Sequence, residues 1–130
     1  MSDDPRSWEG RREECPFCNP PPHVVVLTGS LCYARWDKHP VSRGHLLIIP
    51  FRHVASFFDT TDAERQELLA LAIKARELLD ASFHPDGYNF GVNIGGVAGQ
   101  SVMHVHFHLI PRYEGDTDNP RGGIRRVVSG

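Results

Sequence analysis

Residues 103–111 read Met103-His-Val-His-Phe-His-Leu-Ile-Pro111, and their alternation decides the fold. Side chains of an extended chain point alternately to opposite faces, so Val105, Phe107 and Leu109 share one side and His104, His106 and His108 the other. That period of two predicts a β-strand with one face against a core. Three imidazoles then project from a single strand face, about 7 Å apart. Three chemistries suit such a row. It can be a solvated sheet face, a metal site of alternating His ligands, or a nucleophilic imidazole with supporting donors.

The segment before the strand favours the nucleophile. Asn93-Ile-Gly-Gly-Val-Ala-Gly99-Gln100-Ser101-Val102 holds three glycines in a short loop. Glycine lets backbone N–H groups approach an anion, and Gln100 and Ser101 add side-chain donors. A loop of this kind that runs directly into an imidazole strand reads as a phosphate cradle.

Working outward, residues 24–28 form a β-branched run. Gly29-Ser30 follows and then residues 31–36, a pattern that predicts a hairpin with a type II′ turn. Residues 45–49, His-Leu-Leu-Ile-Ile, form a buried strand ended by Pro50. Residues 88–93 alternate as a further strand. One long helix is predicted over residues 61–83, opened by a capping box of Thr61 and Glu64 with Asp62 in its first turn. Leu68, Leu71, Ala72, Ala75 and Leu79 make its buried face, widened by Leu69, Ile73 and Leu78. Pro85-Asp86-Gly87 stops it. The expected class is α+β, with an antiparallel sheet of about five strands, one long helix and a short helix.

The 130 residues suffice for one domain with its own core, and a 40% apolar fraction is ordinary for a globular chain. A net charge of −2 argues against a broad nucleic-acid-binding surface. No run approaches the roughly 20 apolar residues of a membrane helix, and the polar residues 1–14 lack the apolar core of a secretory signal. The organisation expected is a loose tail over 1–14, a domain over 15–113 and an Arg/Gly-rich segment over 114–130. With three cysteines and no pairing pattern, the chain is placed in the cytoplasm.

Cys15-Pro-Phe-Cys18 spells a C-x-x-C pair. A redox role needs a helix directly behind the first thiol, and Asn19-Pro-Pro-Pro22 forbids one. Half of a tetrahedral zinc set, completed by two histidines, is the stronger reading, with two reduced, partly buried thiols as its alternative. Cys32 lies in an apolar strand and reads as core. His23, His39 and His84 read as surface residues.

The stretch Gly99-Gln-Ser-Val-Met-His-Val-His-Phe-His-Leu-Ile-Pro-Arg112 resembles the signature of the histidine triad family of nucleotide hydrolases and transferases. Pro40-Val-Ser-Arg-Gly-His45-Leu-Leu-Ile-Ile-Pro-Phe-Arg-His53 is similar to that family's upstream strand. The resemblance implies that His106 attacks an α-phosphate and carries a covalent nucleotidyl group. It implies that His108, Asn93, the Gly99 backbone N–H and Ser101 hold phosphate oxygens or assist the leaving group, with Gln100 of the loop as a further nucleotide-binding donor. It further places Asp37 on ribose hydroxyls and His45 in support of the catalytic cluster. The zinc-containing bacterial type implies Cys15, Cys18, His53 and His104 as ligands of a structural zinc, with no catalytic metal. The family also implies a homodimer and a small-molecule nucleotide partner.

The expected function is hydrolysis of a nucleoside 5′-phosphoryl linkage, as in diadenosine tetraphosphate. His108 stands where the family's uridylyltransferase relatives carry Gln, which favours hydrolysis over transfer. Phosphoramidate hydrolysis and phosphorolysis are the alternatives. Two competitors come from other classes, a nucleotide-binding regulator without turnover and a hydrolase whose three triad imidazoles hold one catalytic ion. Arg121, Arg125 and Arg126 form a solvated tail or reach distal phosphates.

Overall fold

The structure, a computed structural model, describes residues 11–128. Residues 1–10 of the expected tail and the last two residues of the expected carboxy-terminal segment lie outside the described residues. Five strands make one sheet: β1 (Val25–Thr28), β2 (Cys32–Trp36), β3 (Leu46–Pro50), β4 (Gly87–Val92) and β5 (Phe107–Arg112), with a helix α1 (Asp62–Phe83) between β3 and β4. The order across the sheet is β1-β2-β3-β5-β4, and every neighbouring pair is antiparallel. The expected α+β class with five antiparallel strands is the one observed. α1 is the single α-helix among the described residues, and the short helix expected beside it is replaced by 3-10 turns. No helix among the described residues is long and apolar enough to cross a membrane.

The sheet is covered on both faces. On one, Leu68, Leu71, Ala75 and Leu79 of α1 pack with Cys32, Ala34, Leu46, Ile48, Phe107 and Leu109. On the other, Cys15, Phe17 and Cys18 pack with Tyr33, Leu47 and Ile49. Strand alternation sorts the sheet residues between these clusters, and the second cluster forms the floor beside the imidazoles. Residues 11–14 of the expected loose tail are tethered: the Asn19 side-chain amide donates to the carbonyls of Arg12, Glu13 and Cys15.

The capping box forms as expected. Glu64 N–H donates to Thr61 Oγ1 (3.1 Å), and Thr61 N–H donates to Glu64 Oε1 (2.8 Å). Glu64 also receives Arg52 at 2.8 and 3.2 Å, which ties the chain after β3 to the helix start and places His53. At its far end α1 stops at His84, held in the left-handed region at φ 50°, because the following proline disfavours helical geometry.

Three local expectations differ from the structure. Leu69 and Ile73 are 55% and 63% exposed, because the apolar stripe of α1 that meets the sheet is narrower than the sequence spread suggested. The β1–β2 turn is not type II′: Gly29 lacks a positive φ, and four residues separate the paired Thr28 and Tyr33. Glu67 organises this loop from α1, accepting from Ser30 N–H, Ser30 O–H and Leu31 N–H at 3.2, 2.8 and 2.6 Å. A Cβ on Gly29 would meet that carboxylate at 2.8 Å, so space explains the glycine. Finally, β5 begins at Phe107 and not Met103. Val105 N–H donates to Val54 O at 2.7 Å, outside the strand ladder, so residues 104–106 continue the facing pattern without belonging to the sheet.

Packing and capping make separable contributions to stability. Leu79→Ala is expected to lower unfolding free energy by about 2–5 kcal/mol, and Thr61→Ala by about 0.5–2 kcal/mol. Urea denaturation with an unchanged m-value checks both.

Candidate active site

β3 and β5 run side by side at the centre of the sheet, with Leu47 opposite His108, and Gly91 of β4 flanks His108 from the other side. His45 stands just before β3 and Asp37 just after β2. The loop between them is drawn tight by a backbone bond from Asp37 N–H to His45 O (3.0 Å). Gly44 makes that approach possible: its φ is +86°, and a Cβ there would meet Leu79 and Phe83 at 3.0 Å.

The triad divides into three roles of position. His104 is fully buried, and its ring turns to Cys15, Cys18 and His53. Its Nδ1 lies 3.5 Å from both Cys15 Sγ and Cys18 Sγ, and His53 Nδ1 lies 3.2 Å from Cys18 Sγ. His104 Nε2–H donates to Pro50 O at 2.7 Å, leaving the Nδ1 lone pair aimed at the sulfurs. Two thiols and two imidazoles with their ligand atoms within 4.8 Å of one another can hold a metal ion of zinc-like preference. The chemistry of this donor set fits.

His106 is also buried and sits apart from both metal-type groups. Its Nδ1–H donates to the carbonyl of His104 at 2.9 Å, which fixes the ring and leaves a lone pair on Nε2. The Phe17 ring packs edge-on against it at 4.7 Å between centroids, and the His108 ring lies 5.1 Å away. His108 is one-quarter exposed; its Nδ1 is 3.0 Å from His45 Nε2, and Asp37 Oδ2 is 3.3 Å from that same Nε2.

Burial keeps these rings neutral. It lowers the pKa of His106, opposed by the His104 carbonyl and Asp37. Burial lowers His45 as well, with Asp37 opposing. His108 is pushed down to about 4 by burial first, then by His106 and His45.

The glycine loop closes on itself more than its sequence suggests. A 3-10 turn spans Gly96–Ala98, and Gly99 N–H donates to Gly96 O at 3.0 Å. Gln100 is buried; its Oε1 accepts from Gly95 N–H at 2.8 Å, and its Nε2 donates to Ala55 O and Val102 O at 2.7 and 3.1 Å. The Gln100 side chain and Gly99 N–H therefore brace the loop, in contrast to the expectation that both reach phosphate. Gly99 has φ +98°, and a Cβ added there would lie 3.8 Å from the Asn93 amide nitrogen. Ser101 is exposed at the loop's end and Asn93 half-buried beside it, so these two remain as open side-chain donors.

Phe17 is missed by a reading that treats it as a spacer between two cysteines. Its carbonyl accepts from Tyr33 O–H at 2.5 Å, and Arg35 lies over its ring at 5.8 Å. An aromatic residue inside C-x-x-C was the available signal. Cys32 is core and His23, His39 and His84 are exposed, as expected. Arg121, Arg125 and Arg126 are exposed, while Ile124 lies over Gly91 of β4. A cleft of about 540 Å³ whose lining includes Asn89, Arg112 and Asp116 opens at the opposite end of β4 and β5 from the imidazoles.

The HIT domain model matches residues 20–115, which contain β1 to β5, the glycine loop and all three triad positions. The chain belongs to the HIT family. One HIT relative, "AP-4-A phosphorylase" of Mycobacterium tuberculosis, is 40% identical over 96 residues, 73% of this chain and 49% of the relative. The chain thus spans about half the length of that relative. "Bis(5'-adenosyl)-triphosphatase" of Dictyostelium discoideum is 36% identical over 95 residues, 73% of this chain and 64% of the relative. Among solved HIT structures, a zinc-bound histidine triad family protein from Mycobacterium smegmatis has a TM-score of 0.72 and 29% identity, covering 80% of this chain and 78% of that one.

The depressed His108 pKa has a measurable consequence. Its folded value lies below the unfolded 6.5, so the unfolded chain binds the extra proton first as pH falls. The stability that neutral His108 contributes is present above about pH 6.5 and declines toward pH 4. In an NMR pH titration the His108 ring is expected to stay neutral until about pH 4. A midpoint near 6.5 would contradict the burial seen here.

Proposed function

We propose that this HIT chain is a hydrolase of nucleoside 5′-phosphoryl linkages, acting on dinucleoside polyphosphates through a nucleotidyl intermediate on His106. The observation that carries the reading is the 2.9 Å bond from His106 Nδ1–H to the His104 carbonyl. It holds a neutral imidazole with its Nε2 lone pair free, the form needed to attack phosphorus. Bond formation at Nε2 makes the ring cationic, and the carbonyl already bound to Nδ1–H stabilises that charge without rearrangement. The oxygen–phosphorus bond to the leaving group breaks with its electron pair on oxygen; a polyphosphate is a weak base and departs as an anion. Water then attacks phosphorus and loses a proton to solvent as the nitrogen–phosphorus bond breaks with its electron pair on Nε2, releasing a nucleoside monophosphate and neutral His106.

The other expected residues take supporting places in this scheme. His108, Asn93 and Ser101 hold phosphate oxygens, and His45 orients His108. Asp37 takes the ribose hydroxyls. Gly99 and Gln100 shape the loop. Division of the triad between two separate ligand groups, with His106 in neither, argues against one catalytic ion shared by all three rings.

Cys15, Cys18, His53 and His104 would hold a structural zinc, whose bound ion supplies a cross-link between the amino-terminal turn and the triad segment. The zinc-bound M. smegmatis structure supports this assignment. All three cysteines are free thiols, in keeping with a reducing cytoplasm. A homodimer is also proposed, with the outer edge of β4 and the exposed Leu69 and Ile73 as the surfaces available to it.

Phosphorolysis is the second reading, favoured by the name of the M. tuberculosis relative. Products separate the two. With diadenosine tetraphosphate, water as acceptor gives AMP and ATP, whereas inorganic phosphate gives ADP and ATP. Chromatography of products with and without phosphate decides the acceptor. His106→Ala is expected to reduce turnover by at least about a thousandfold, and rapid-quench mass spectrometry of the wild type to detect adenylylated His106. Equal turnover by the two proteins would overturn the mechanism.

Zinc is tested separately. Purified protein is expected to carry roughly one zinc per chain, and Cys18→Ser to lose it with a lower Tm. Chelated wild type that stays folded is expected to keep its turnover; loss of turnover without unfolding, restored by zinc, would make the ion catalytic.

A further inference from the structure

Among the described residues two groups of metal-type ligands converge: Cys15, Cys18, His53 and His104, and separately Asp37, His45 and His108. What lies behind each imidazole distinguishes them. His104 donates Nε2–H to the Pro50 carbonyl and so turns a lone pair toward its group. His45 is wired in the opposite sense. The backbone N–H of Val41 donates to His45 Nδ1 at 3.2 Å. An amide N–H can only donate, so this Nδ1 is unprotonated and the neutral ring carries its proton on Nε2. That Nε2–H lies 3.0 Å from His108 Nδ1 and 3.3 Å from Asp37 Oδ2. His108 Nδ1 is the nearer acceptor, and an accepting Nδ1 puts the His108 proton on Nε2. Burial favours the neutral form of both rings, so the tautomer is the property left to be set.

We propose that the Val41 backbone N–H is a positioning group which, through His45, fixes His108 as its Nε2–H tautomer. His108 then offers a donor to a phosphate oxygen, where the other tautomer would offer a lone pair and repel the anion. This functional consequence rests on the nucleotide reading above; the tautomer assignment does not. The same wiring disfavours a cation among Asp37, His45 and His108. A metal on His45 Nε2 would force the proton onto Nδ1, against the Val41 N–H. Ribose hydroxyls on Asp37 would remove the competing acceptor and leave His108 as the sole partner of His45 Nε2–H. The Val41 side chain itself is 73% exposed, so its identity is free while its N–H is not.

The test is a long-range 1H–15N imidazole spectrum of the full chain at pH 7, without substrate. His45 and His108 are each expected to show a protonated Nε2 and an unprotonated Nδ1. A protonated Nδ1 on either ring would overturn the proposal. Val41→Pro removes the N–H, whereas Val41→Ala keeps it. The proline variant is expected to show mixed tautomers at both rings and the alanine variant the wild-type pattern; unchanged tautomers in a folded Val41→Pro protein would also overturn it. If the proline variant does not fold, the wild-type spectrum decides alone. With diadenosine tetraphosphate, kcat/KM of Val41→Pro is expected to fall about tenfold to a hundredfold below that of Val41→Ala. Absent turnover in the wild type, with the stated tautomers observed, would remove the nucleotide reading and leave the positioning role standing.

Discussion

Alternation through residues 104–109 places every other part of the molecule. Phe107 and Leu109 face α1 and join its apolar cluster, while His104 and His106 meet Phe17 of the amino-terminal turn and His108, on the same side, meets His45. A slip of one residue would exchange the two sets, burying imidazoles against leucines and exposing the core. The register of β5 between β3 and β4 is therefore held from both faces. Leu46 and Ile48 on β3, and Phe90 and Val92 on β4, pack beside Phe107 and Leu109, and no slipped pairing would bury as much apolar surface.

Covering both faces lets the imidazoles sit in a low-dielectric setting without losing their partners. Every triad ring has at least one nitrogen within hydrogen-bonding range of a defined group: Pro50 O for His104, His104 O for His106, and His45 for His108. Buried polar groups are costly only when unpaired, and no buried side-chain nitrogen or oxygen lacks a partner among the described residues. Phe17, held by Tyr33 at its carbonyl, contacts both His104 and His106 at its ring. The turn that carries the thiols is thus also a wall against the His104 and His106 rings.

Periodic features were legible in the sequence because a single physical rule governs each. The period of two located the imidazoles, and Thr61 with Glu64 located the start of α1. The four residues expected as ligands, Cys15, Cys18, His53 and His104, do converge, though their grouping came from family likeness and not from spacing. Features that depend on what lies across space were not legible. Gly29 read as a turn former, but its loop is shaped by Glu67, 38 positions along the chain. Gln100 read as a phosphate donor because nothing local announces the Ala55 carbonyl that accepts its side-chain N–H. Leu69 and Ile73 read as core because periodicity gives the width of an apolar stripe and not how much of it the sheet can cover. The Val41 contact is made by backbone, which no side-chain pattern encodes.

Residue 104 holds two offices through two different parts of itself: its ring turns to the thiols, and its peptide oxygen steadies the neighbour two places on. Only the first depends on being histidine, since all amino acids bring that oxygen. A descendant could therefore shed the imidazole at 104, along with both sulfurs, and keep the ring at 106 aligned by an unaltered peptide. The thiol-facing ring and the carbonyl that steadies residue 106 are separable inheritances in this architecture, free to part without rebuilding the rest of the imidazole row.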